Sequence, residues 1–293
     1  RLWKKKDMHR EISFSPDGSY VLVSTIKKPF SYLVPYYRFP STYIIHTASS
    51  KEVKRLASIP LIEDLPKGFM AVREGRRSFK WRVDKPASIC FVSALDNGDP
   101  KKDVQFRDEL FQLDAPFKNG PVSILKTQNR YYQSSWCNDT LAIVSDYWWN
   151  NRNQKTYLFN PSNPSKEPSI ISDRNYQDRY SDPGDFVEER NRYGEYVLLL
   201  RNKNLFLIGD GFSADGQFPF LDELKIGTLK KKRIYESTIE GEKESLRDFN
   251  PDDNKLFVRI ESPNEYPNYF FRNLDGELNQ ITYFANPFKS IQN

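Results

Sequence analysis

Histidine and glycine are scarce in this chain of 293 residues, which holds two His, His9 and His46, and 13 Gly. With so few imidazoles, a His-based triad or a multi-His metal site would have to draw on residues near one end of the chain. The shortage of glycine argues against loops that cradle phosphate with bare backbone. Two cysteines, Cys90 and Cys137, are too few for a disulfide framework. They sit in the apolar settings Ile89-Cys90-Phe91 and Trp136-Cys137, where buried free thiols are expected. No stretch approaches the roughly 18 apolar residues of a membrane span. There is no signal peptide, and the chain opens on Arg1 instead of Met. It therefore reads as a piece of a longer protein, periplasmic or secreted if a leader has been removed.

A one-sided charge is missing too. The chain carries 44 Lys+Arg against 39 Asp+Glu, a net charge of +5, with the two signs interleaved. The short basic clusters Trp3-Lys4-Lys5-Lys6 and Lys230-Lys231-Lys232-Arg233 read as solvated segments, and no nucleic-acid partner is expected.

What the chain has in abundance is aromatic residues: 21 Phe, 17 Tyr and 5 Trp, at a mean hydropathy of −0.72. They fall in short alternating segments set between turns, the pattern of β-strands. Tyr20–Ile26 follows the turn Ser15-Pro16-Asp17-Gly18, and Tyr43–His46 precedes a polar corner. Ser88–Val92, Leu141–Val144, Tyr196–Leu200 and Lys255–Ile260 behave alike. No segment keeps a helical period over three turns.

The strands repeat. Ile12-Ser13-Phe14-Ser15-Pro16-Asp17 before Tyr20–Val23 matches Arg247-Asp248-Phe249-Asn250-Pro251-Asp252 before Lys255–Val258. Degenerate copies surround Trp81 and Trp136, and a weaker one begins near Asn191-Arg192-Tyr193. The aromatics recur about 55 to 67 residues apart, somewhat longer than the ~40–50 of standard propeller repeats. Outer strands are expected at Lys54–Ala57, Ser169–Ser172, Arg233–Glu236 and Asn279–Thr282. The expected fold is all-β: a β-propeller with about five four-stranded blades in a single domain or partial propeller over residues 1–293. Large aromatic side chains would fill the space between blades. A pair of β-sandwiches is the alternative, and the repeated turn-plus-aromatic phrase favours the propeller.

These phrases resemble the amino-terminal β-propeller of prolyl-oligopeptidase-type serine peptidases, in the glutamyl-endopeptidase-like branch. The resemblance is carried by Lys28-Pro29-Phe30-Ser31-Tyr32-Leu33-Val34-Pro35-Tyr36-Tyr37-Arg38-Phe39-Pro40, Leu65-Pro66-Lys67-Gly68-Phe69, Val72-Arg73-Glu74-Gly75-Arg76-Arg77 and Trp81-Arg82-Val83-Asp84-Lys85-Pro86-Ala87. Ala94-Leu95-Asp96-Asn97-Gly98-Asp99-Pro100, Trp148-Trp149 and Asp178-Arg179-Tyr180-Ser181-Asp182-Pro183-Gly184 continue it in the family's order. It implies a seven-bladed propeller capping an α/β-hydrolase domain with a Ser, Asp, His triad. The cap would gate substrate access and contribute to peptide recognition. The implied partners are that catalytic domain of the same parent protein and a peptide substrate. The hydrolase domain would begin soon after Asn286-Pro287-Phe288 and is absent from this chain.

The chain contains no Gly-x-Ser-x-Gly nucleophile elbow. Alternation puts His46 on a strand as a structural residue. By itself, then, the chain is expected to be inactive, with no catalytic residue, metal or cofactor. The substrate-binding candidates are Arg73, Arg76, Arg77 and Arg82, because guanidinium groups bind carboxylates bidentately. Such a cluster suits an acidic peptide side chain, as a glutamate-preferring peptidase would require. The competing reading has Arg82, beside Trp81, stacking there or pairing with Asp84. Tyr32, Tyr36, Tyr37 and Phe39, with Tyr147, Trp148 and Trp149, read as inter-blade wedges in preference to a stacking surface at the propeller mouth. The carboxylates Asp173, Asp178, Asp182 and Asp185 lack calcium-loop spacing and read as partners of Arg174 and Arg179. Asn138-Asp139-Thr140 matches a glycosylation sequon. The alternative function is a stand-alone propeller acting as a protein- or ligand-binding scaffold. A carbohydrate-active enzyme would need two carboxylates about 5 to 9.5 Å apart, and no phrase singles out such a pair.

Overall fold

In the computed structural model, residues 5–287 are described. Trp3 and Lys4 of the first basic cluster, and Phe288, lie outside them. The chain forms two compact units, residues 1–175 with 190–197, and residues 176–189 with 198–293.

The first unit holds three four-stranded antiparallel sheets, each a meander in chain order. Sheet I comprises Met8–Phe14, Tyr20–Ile26, Ser41–Thr47 and Glu52–Ile59. Sheet II comprises Arg77–Trp81, Ser88–Ala94, Asp108–Asp114 and Val122–Thr127. Sheet III comprises Arg130–Asn138, Leu141–Trp148, Asn153–Phe159 and Ser169–Asn175. The first hairpin shows how the sequence sets a register. Asp17 accepts hydrogen bonds from Ser15 Oγ at 2.7 Å and from Ser19 N at 3.0 Å, and Gly18 takes φ +73°. This Asx-type turn delivers Phe14 opposite Val21 and Ser13 opposite Leu22.

The second strand of sheet II explains the aromatic surplus. Ile89 and Phe91 point into a core shared with Leu22, Ile45 and Leu56 of sheet I and with Phe79 and Trp81. Cys90 and Val92, on the opposite face, pack with Trp136, Ala142, Val144 and Tyr157 of sheet III. A strand buried on both faces needs a sheet on each side, and each fully buried large side chain contributes about 1.5–3 kcal/mol. Successive sheets stacked face to face through aromatic residues are the blades of a β-propeller.

The second unit repeats the plan. Sheet IV is built from Asp185–Phe186, Asn204–Gly209, Phe220–Lys225 and Lys230–Glu236, and sheet V from Lys243–Asn250, Lys255–Glu261, Asn268–Asn273 and Leu278–Gln280. Phe206 and Leu221 of sheet IV share a core with Leu246, Leu256 and Val258 of sheet V. The described residues thus hold three blades in one unit and two in the other, in agreement with the sequence. The fourth blade corrects its details. The strand expected over Tyr196–Leu200 runs only over Tyr196–Leu198 and pairs with Glu188–Arg190 outside any blade. Asn202 and Lys203, both at positive φ, turn the chain into Asn204–Gly209, which is the inner blade strand instead. The expected outer strand at Asn279–Thr282 ends at Gln280.

Candidate functional site

The four arginines of the sequence cluster enter sheet II from its amino-terminal side. Arg73 and Arg76 sit in the loop before the first strand, Arg77 opens that strand, and Arg82 follows its last residue. The structure separates them into two pairs.

Arg82 is buried, with 1% of its surface exposed. Its Nε and Nη2 donate to the two carboxylate oxygens of Asp84 at 3.0 and 2.5 Å, and its Nη1 donates to Gln112 Oε1. The guanidinium lies 4.2 Å above the Trp136 ring. Both alternatives weighed for Arg82 hold together, pairing and stacking, although the ring is Trp136 and not the adjacent Trp81. Arg77 donates to Asp108 through Nη2 and joins a network that sequence reasoning missed. Arg130 grips Asp96 with both Nη atoms at 2.8 and 2.7 Å, reaches Asp108 at 3.1 Å, and donates from Nε to the Met70 carbonyl at 2.8 Å. Arg107 adds a contact to Asp96 at 3.0 Å. Asp96, Asp108 and Arg130 are almost wholly buried, so each charge relies on the others in place of water.

Among the described residues, Arg73 and Arg76 have no such carboxylate. Arg73 donates to the Glu74 carbonyl at 2.9 Å and to the Arg76 carbonyl. Arg76 donates to the Leu56 carbonyl at 3.2 Å and lies 4.8 Å above the Phe91 ring. Carbonyl oxygens orient a guanidinium without neutralising it. Burial, with the like charges of Arg77 and Arg10, pulls the Arg73 guanidinium down to about 10, and it still carries its charge at neutral pH. Both side chains line a cavity of about 770 Å³ whose wall is formed by residues 56–66, 72–76 and 97. Glu63, Asp64 and Glu74 lie on the same wall, and Glu63 accepts a hydrogen bond from Ser31 Oγ at 2.7 Å.

The loop bearing these arginines is held by close backbone contact. Val72 N donates to the Gly98 carbonyl at 3.1 Å, and Gly98 has φ +78°. A Cβ on residue 98 would stand 1.9 Å from the Val72 carbonyl oxygen, so only glycine fits.

Tyr32, Tyr36 and Tyr37 are not wedges. Tyr32 and Leu33 are 110% and 82% exposed, and Tyr36 and Tyr37 more than half exposed. Phe30 stacks on Phe39 with ring centroids 5.5 Å apart. Trp149 packs against the exposed Phe69 at 5.1 Å, Tyr147 against Tyr132 at 5.6 Å, and Trp148 lies under Arg107 at 4.0 Å. Of the acidic series, Asp173 pairs with Lys155, while Arg179 lies over the Phe212 ring at 3.6 Å. His46 is a buried strand residue, and burial lowers its pKa. Asn138 occupies an exposed hairpin turn, its Oδ1 accepting from Thr140 N at 2.9 Å.

No protein-family model matches the chain. A probable chloroplastic glutamyl endopeptidase of Oryza sativa subsp. japonica is 33% identical over 97% of the chain. A second, from Arabidopsis thaliana, is 34% identical over 94%. Over nearly its whole length the chain is thus similar to a segment of glutamyl endopeptidases, in line with the resemblance read from its sequence. It spans about a third of the length of these curated relatives, 32% and 31%. Among solved structures, a putative dipeptidyl aminopeptidase IV from Bacteroides ovatus matches 99% of the chain and 44% of its own length, with a TM-score of 0.55 and 10% identity. Dipeptidyl peptidase 4 of Porphyromonas gingivalis matches 97% of the chain and 40% of its own length, with a TM-score of 0.54 and 12% identity. At 10% and 12% identity these two likenesses bear on the fold alone.

Proposed function

We propose that the chain is the non-catalytic propeller of a glutamyl-endopeptidase-like serine peptidase, where it gates peptide access to an α/β-hydrolase domain and helps to recognise acidic side chains. The observation that carries this reading is the pair Arg73 and Arg76, two guanidiniums without a carboxylate partner on the wall of one cavity. A carboxylate entering there would gain charge-assisted hydrogen bonds from donors already oriented by backbone carbonyls. Arg77 and Arg82, the other two candidates, are outside the lining of this cavity, and their charges are matched by Asp108 and Asp84.

The test is a peptidase carrying this propeller and an intact hydrolase domain, assayed on matched peptides with Glu or Gln at the cleavage site. In the double variant Arg73→Ala/Arg76→Ala, kcat/KM for the Glu peptide should fall by roughly 10- to 100-fold, the worth of a charged hydrogen bond. The Gln peptide should change by less than about threefold. Equal loss on both peptides, or no loss on either, would reject the acid-recognition role.

A further inference from the structure

A loop rich in exposed aromatic residues is tied to the wall of the cavity. The connection between the second and third strands of sheet I, residues 27–40, is long for a hairpin and carries Phe30, Tyr32, Leu33, Tyr36 and Tyr37 on its surface, all 47% exposed or more. Five large apolar side chains exposed within eight residues form a concentrated patch, unlike the scattered singles usual on a soluble surface. The loop is fastened to the cavity wall at two points. Ser31 Oγ donates to Glu63 at 2.7 Å, and Ile62 N donates to the Arg38 carbonyl at 3.0 Å; both Glu63 and Ile62 line the cavity. Arg10 reaches from the first strand of sheet I to the Tyr37 carbonyl at 3.4 Å. The stack of Phe30 on Phe39 braces the loop from within.

We infer that this loop is an apolar subsite beside the acid-binding cavity, so that the recognised ligand is an extended peptide with an acidic residue and a large apolar residue within a few positions of it. The inference rests on the acid-recognition reading of Arg73 and Arg76 and adds to it a second specificity element, Tyr32 with Leu33. These two side chains are next to the Ser31 anchor and are the most exposed of the loop, so they have the most surface to bury against a ligand. The chemistry of the two parts is complementary: guanidiniums without carboxylates take the charge, and uncovered rings take the apolar neighbour.

Fluorescein-labelled decapeptides and the full 293-residue chain provide the test by anisotropy. Four peptides suffice: Glu with Leu-Phe beside it, Glu with Ser-Ser, Gln with Leu-Phe, and Gln with Ser-Ser. The Glu/Leu-Phe peptide should bind best, with exchange of Leu-Phe for Ser-Ser weakening it roughly tenfold. In the variant Tyr32→Ser/Leu33→Ser, that tenfold preference should vanish while the preference for Glu over Gln remains. The substituted side chains are exposed, so an unchanged melting temperature is expected and checks the fold. If Glu is preferred but Leu-Phe confers nothing, the apolar subsite is wrong and the acid-recognition reading survives. If the Leu-Phe preference persists in the variant, the subsite lies elsewhere and the inference falls. If no peptide shows a preference for Glu, both readings fail together.

Discussion

Arg82 and Arg73 lie nine residues apart in one continuous segment, yet they occupy opposite electrostatic situations. Arg82 is closed inside the first unit with a bidentate carboxylate, an amide oxygen and an indole ring around it. Arg73 is held by backbone carbonyls alone on the edge of a cavity. The difference teaches that the type and density of arginine do not define a recognition site; the location of the counter-charge does. A neutralised guanidinium is a structural bolt, whereas an oriented, unneutralised one still has its attraction to offer.

Replacing Arg82 should break the comparison most severely. Arg82→Ala leaves Asp84 buried, at 3% side-chain exposure, without its cation, and a loss of about 3–5 kcal/mol is expected in urea unfolding. Arg82→Lys should restore less than half of that, because an ammonium cannot reproduce the fork onto Asp84 or the stack on Trp136. Arg77→Ala should cost less, about 1–3 kcal/mol by the same measurement, since Asp108 keeps Arg130 at 3.1 Å.

Buried His46 sharpens the contrast from the side of a base that is kept neutral. Its folded pKa lies below the ordinary imidazole value because burial disfavours the charged ring. The unfolded chain therefore takes up the proton first, and stability falls as pH drops through the unfolded value of ~6.5 toward the lower folded one. Between pH 7 and 5 the native protein should lose up to about 1.4 kcal/mol per pH unit relative to His46→Asn, measured by denaturant titration at each pH. The smallest stability effect belongs to Arg73→Met. It removes a partly desolvated charge that has no carboxylate, and unfolding free energy should change by less than about 1 kcal/mol. A cost as large as that of Arg82 would show that Arg73 is a bolt as well, and would remove the basis for ligand recognition.

The blades were legible because a strand buried on both faces and a Pro-Asp turn leave local marks. Phe14, Trp81, Trp136 and Phe249 sit at the expected points of successive sheets I, II, III and V. The fourth sheet was less legible, because its first strand, Asp185–Phe186, is two residues long and carries no turn-plus-aromatic phrase. The candidate arginines were also visible, but their division was not. It depends on Asp84, two positions from Arg82, and on Asp108, 31 positions from Arg77. The second partner is brought close only by the register of sheet II. Arg130 and Asp96, 34 positions apart, left one faint sign: a charged residue opening a strand. Tyr32, Tyr36 and Tyr37 were read as packing because composition weighs an aromatic by type, whereas exposure depends on how far a loop stands off its sheet.

Gly98 gives the cavity a point of control that carries no charge. Its backbone touches Val72 so closely that any side chain would force the segment 72–76 outward, moving the Arg73 and Arg76 guanidiniums without altering either residue. Random variation around this cavity will therefore contain members whose arginines are intact but displaced. Tests of the proposed acid recognition can vary residues 58–66 and must leave position 98 alone.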